Sequence, residues 1–85
     1  PNKVTLNFTV YSLSSADLSE GANIATISNP PPSNTPISAC YQDLKTNNIG
    51  VCQLIFRANG TVELRGCSTL INKEIRVFAN INYFI

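Results

Sequence analysis

IRVFANINYFI, residues 75–85, alternates without a break. Ile75, Val77, Ala79, Ile81, Tyr83 and Ile85 fall on one side, and Arg76, Phe78, Asn80, Asn82 and Phe84 fall on the other. A period of two held over that length predicts a β-strand with one face in a core. The other face is not simply polar. Two phenylalanines stand there among asparagines and an arginine, which is the make-up of a surface that meets something.

The strongest hairpin signal lies just upstream, in VCQLIFRANGTVELR, residues 51–65. Its register follows from the side-chain faces. A two-residue turn at Asn59-Gly60 would set Phe56 against Glu63 and mix apolar with charged groups. A three-residue loop sets Arg57 against Thr61, Phe56 against Val62 and Leu54 against Leu64. Cys52, Leu54, Phe56, Val62 and Leu64 then share one face, and Gln53, Ile55, Arg57, Thr61, Glu63 and Arg65 the other. A slip of one residue would invert every side chain, so the second register is the expected one. Gly60 becomes the left-handed residue of a bulge turn.

Working outward, Lys3 to Val10 reads as a half-buried antiparallel strand, with Val4, Leu6, Phe8 and Val10 inward. Residues 12–21 break that period and read as a loop, with room for one helical turn after Ser14 or Ser15. Ala22 to Ser28 is a weak short strand. Asn29 to Pro36 holds four of the five prolines, so it is expected to be stiff, extended and outside any central ladder. Ile37 to Gln42 reads as a strand, Asp43 to Gly50 and Gly66 to Lys73 as loops, and Glu74 to Ile85 as the closing strand. The expected fold is all-β: a compact antiparallel β-barrel or Greek-key sandwich of about six or seven short strands in a single domain.

Eighty-five residues bury only roughly 60% of their unfolded surface, so a supplement such as a disulfide, a metal or oligomerisation is expected. Only 13% of residues are charged and the net charge is +1. Eleven asparagines, eight serines and seven threonines supply the polarity instead. The six cations are scattered, which argues against nucleic acid. No apolar run approaches the length of a membrane span. The chain begins at Pro1 and holds no methionine, as expected of a fragment, either a processed product or a domain cut from a longer protein.

Cys40, Cys52 and Cys67 form an odd set with no histidine and no C-x-x-C spacing. The expectation is three reduced, mostly buried thiols; one disulfide with a spare thiol, or a zinc site of thiolates and carboxylates, are the alternatives. The sequons Asn7-Phe8-Thr9 and Asn59-Gly60-Thr61 are short enough to arise by chance. Without histidine the usual Ser/His and Cys/His nucleophiles are missing. Asp17, Glu20, Asp43, Glu63 and Glu74 show no spacing that would pair two of them for glycoside cleavage. No enzyme and no cofactor is expected.

Two surfaces remain as candidates. Arg57, Glu63 and Arg65 on the hairpin, with Arg76 and Asn80 on the last strand, could tie saccharide hydroxyls by planar polar groups. The alternative for each charge is a solvated face. Phe78 and Phe84 are expected in a subunit contact or a second core layer ahead of ligand stacking.

The hairpin of residues 51–65 with its "NG-T-V-x-L" turn, the loop after it and the closing strand together resemble the C-terminal head domain of phage tail receptor-binding proteins, especially those of lactococcal siphophages. The resemblance implies a β-barrel head at the tip of a homotrimer on the virion tail. Such a head binds saccharide or phosphosaccharide on the envelope of a Gram-positive host, often near subunit boundaries, without catalysis or membrane insertion. It also implies a binding arginine near the C-terminus, for which Arg76 is the candidate. Family sites also use tryptophan and histidine, and this chain has neither. The competing readings are a structural β-subunit, pilin-like or of a tail assembly, whose faces contact only other subunits, and a secreted cysteine-containing inhibitor or toxin.

Overall fold

The computed structural model describes residues 2–13, 21–66 and 74–85, with the side chains of 11–13 excepted. Within them lie six strands: β1 (Lys3–Leu13), β2 (Ala22–Thr26), β3 (Thr35–Asp43), β4 (Ile49–Phe56), β5 (Thr61–Arg65) and β6 (Ile75–Phe84). All pairings are antiparallel, and the order is β1-β6-β3-β4-β5-β2 in one curled half-barrel sheet. Three consecutive strands, β3 to β5, are followed by a fourth that returns beside the first of them, which is Greek-key winding. The helical turn considered after Ser14 or Ser15, the core of the 66–73 loop and Cys67 lie outside the described residues.

The concave side is the core. Val62, Leu64, Leu54, Phe56, Ile75 and Val77 are fully buried there, joined by Ala39, Cys52, Ile81 and Tyr83. β1 contributes Val4, Leu6, Phe8 and Val10, which are half-buried because β1 is an edge. Phe8 meets Phe56 edge to face, with ring centroids 5.5 Å apart and planes at 75°. In the sheet, β6 and β3 stand between those two strands. The contact therefore exists only because the sheet curls back on itself. Bulges between Val10 and Leu13 in β1, and between Asn23 and Ala25 in β2, sharpen the twist at both edges. The two edges approach within 8 Å at Cα without pairing.

The hairpin has the register that the faces demand: Phe56 opposite Val62, Ile55 opposite Glu63, Leu54 opposite Leu64. Gly60 donates to the Arg57 carbonyl at 2.9 Å with φ at +96°, and Arg57 N–H reaches Thr61 O at 2.9 Å. A β-carbon on Gly60 would stand 2.9 Å from the Ile27 carbonyl oxygen.

β1, β3 and β4 run longer than the sequence pattern indicated, whereas β2 stops at Thr26 and β6 spans Ile75–Phe84, inside the expected Ala22–Ser28 and Glu74–Ile85. β1 continues to Leu13, β4 begins at Ile49, and β3 begins at Thr35 and so takes in Pro36. Pro36 faces Ile55 on β4, whereas β6 pairs with β3 only from Cys40 onward. The proline thus occupies a local edge, where a missing amide donor breaks no central ladder. Asp43 closes the turn after β3. Its carboxylate accepts the amides of Lys45 (2.9 Å) and Thr46 (3.2 Å), while its own N–H and C=O bond Asn48 and Asn47. Asn47 takes the left-handed conformation, φ 63°, that asparagine tolerates. At the start of β4, Gly50 lies under the ring of Tyr41, where any β-carbon would collide.

Tyr83 ties the last strand to the β2–β3 connection: its hydroxyl donates to the Asn29 carbonyl at 2.6 Å. Burial holds its phenol above the usual tyrosine range. Because the folded state favours the neutral phenol, that stability is present below pH about 10 and fades as pH rises through the folded pKa. Replacing Tyr83 by Phe should lower stability by about 1 kcal/mol at neutral pH. It should also flatten the alkaline limb, and denaturant melts from pH 7 to 11 read both effects. Gly60→Ala should lower stability by about 1–2 kcal/mol, through the left-handed backbone alone, with the Ile27 contact adding to it. A neutral result in the same melts would contradict the turn geometry.

Candidate functional site

The candidate residues lie on the convex face, in two groups. At the β5 flank, Glu63 sits between two arginines. Arg57 donates Nε (3.0 Å) and Nη2 (2.7 Å) to Oε1, and Arg65 donates Nε (2.6 Å) to Oε2. Alternation on β5 puts Glu63 and Arg65 on one face, and the bulge turn brings Arg57 alongside. Gly21 leaves the space beside the Arg65 guanidinium. The Glu63 side chain is only 8% exposed, and the arginine side chains keep 34% and 42% of their surface in solvent. The hydrogen bond from Arg57 leads in lowering the Glu63 pKa. Burial opposes it, and Arg65 adds to it. Glu63 is thus engaged by its own neighbours on both oxygens, and it fixes the two guanidinium planes.

The second group lies across β4 and β3, about 14 Å away by three strand spacings. Arg76 places its guanidinium 4.6 Å from the centre of the Phe78 ring, a cation–π contact. Register sets Gln42 between Arg76 and Ile49, and Cys40 between Phe78 and Val51. Gln42 reaches Asn47 at 3.5 Å. Further along β6, Asn80 faces Asn7, and Asn82 accepts from Thr5 Oγ1 at 2.8 Å. Phe84, 59% exposed, faces Lys3 at the end of the strand. Phe78 and Phe84 share a face but lie six residues, about 20 Å, apart.

Of the residues singled out from sequence, then, Arg57, Glu63 and Arg65 come together, and Arg76 joins Phe78. Asn80 belongs to the row leading to Phe84. Sequence reading missed Ile49 and Val51, which are 67% and 71% exposed. The signal was present. Ile49, Val51, Gln53 and Ile55 alternate with Cys52, Leu54 and Phe56, so β4 carries apolar groups on both faces.

Cys40 is a free thiol on the convex side, while Cys52 is buried on the concave side. They sit on neighbouring strands but point to opposite faces and do not bridge each other. Among the described residues no three potential ligands gather for a metal, no cavity is enclosed, and no helix is long and apolar enough to cross a membrane. No family model, no curated protein and no solved structure matches the chain.

Glu63 is held ionised in the folded protein, so its contribution is present above pH 4.5 and is lost as pH falls through its lowered pKa. Glu63→Gln should therefore be less stable than the parent at neutral pH and should converge on it as pH falls below that lowered pKa. Melting temperature against pH is the measurement, and parallel curves would remove the ion triad as a source of stability.

Proposed function

We propose that this chain is a non-catalytic attachment head: the distal domain of a phage tail receptor-binding protein, working at the tip of the virion as a homotrimer. Its ligand is saccharide on the envelope of a Gram-positive host. The observation that carries the reading is the division of labour between the faces. The concave side is filled by core side chains, while planar hydrogen-bonding groups and aromatics stand on the convex side around Arg76 and Phe78. This suits weak contacts with exposed sugars, multiplied over three copies. Arg57 and Arg65, oriented by Glu63, supply a second set of donors for a phosphate-bearing sugar.

The structural-subunit reading has one specific observation in its favour. Ile49 and Val51 project side by side from β4 into solvent, and paired exposed aliphatics are the usual sign of a protein contact. The two readings are compatible in a trimer that uses these residues to assemble.

Light scattering should give about three times 9.2 kDa, and Val51→Lys should lower that mass without loss of β-sheet signal. Arg76→Ala should keep the trimer and weaken binding to intact Gram-positive cells by about tenfold. A trimer that ignores every cell type would favour the purely structural role. Unchanged binding by the Arg76 variant would remove that residue from the site.

A further inference from the structure

The outer faces of β1 and β6 form a polar lane with an aromatic ring at each end. Thr5 and Asn7 on β1 stand opposite Asn82 and Asn80 on β6, and all four are exposed. Phe78 and Phe84 close the lane at its two ends, about 20 Å apart. We propose that this lane binds an unbranched, uncharged glycan lying along β6, deepening the saccharide reading on which it rests.

The occupant follows from charge and chemistry. Between its aromatic ends the lane carries only amides and a hydroxyl, each able to donate and accept. Its cations, Lys3 and Arg76, stand at opposite ends, so a nucleic acid would find no row of phosphate partners. Glu74 precedes Arg76 at one end, and no carboxylate lies between Phe78 and Phe84. An apolar partner would strip water from four amides and hydroxyls without replacing their hydrogen bonds. A peptide strand adds to the edge of a sheet through its backbone, not to a face. A neutral extended polymer of hydroxylated rings satisfies both parts, with ring faces on the phenylalanines and hydroxyls on the amides. The Thr5–Asn82 bond, 2.8 Å, holds one rung ready. Arg76, laid over Phe78, widens the platform at the other end.

The test is binding of the protein to an array of linear neutral glycans graded from disaccharides to octasaccharides, with intact Gram-positive cells assayed in parallel. Affinity should climb with chain length by about tenfold or more as the glycan comes to span the lane. Phe84→Ala and Asn82→Ala should each return the long glycans to the affinity of the short ones, while Lys45→Ala, exposed in the β3–β4 turn, leaves the length dependence intact. Circular dichroism confirms that each variant keeps its fold. Cells bound with affinity independent of glycan length, with Phe84→Ala silent, or with anionic glycans alone recognised, would overturn the lane and leave the attachment reading standing. Binding to neither cells nor glycans would overturn both.

Discussion

A single sheet of six strands has two faces and only one core, so it must bury one face against itself. The Phe8–Phe56 contact is where that constraint is met. It joins an edge strand to one three places across the sheet, and it can form only at a particular curl. Tyr83 works in the same sense, linking β6 to the connection that follows β2. Bulges at both edges provide the extra twist.

The curl also decides which face of the sheet is left to solvent. Once the concave side is occupied by Leu54, Phe56, Val62, Leu64, Ile75 and Val77, there is no room inside for a ligand. Among the described residues, the convex side is the face left open to a partner. On a convex face each group contacts a partner singly, which favours repeated shallow contacts over deep enclosure. A polymer or a multivalent surface is the partner that rewards such an arrangement.

The charged residues show how far a sequence list can mislead about chemistry. Arg57, Glu63 and Arg65 look like three separate donors and acceptors. Folded, they are one unit in which a buried carboxylate orients two guanidinium groups. The acceptor faces inward to its neighbours, and what the unit shows to solvent is cationic. Arg76 stands apart from it, stacked on an aromatic ring, where its charge is less hydrated and its plane is fixed.

Alternation in the sequence determined the all-β class, the inward residues of β1, β4, β5 and β6, and the hairpin register about Gly60, because burying one face of a pleated strand leaves no freedom in the period or the phase. The order of the strands, and so the neighbours of every outward side chain, came from the tertiary structure alone. Pairing partners far apart in the chain are chosen by how the whole sheet curls, which no local pattern encodes. That is why Pro36 could enter a strand at a local edge, and why Phe78 and Phe84 proved to be the two ends of a polar row. It is also why Ile49 and Val51, unremarkable in a run of apolar residues, emerged as the most exposed aliphatics of the described surface.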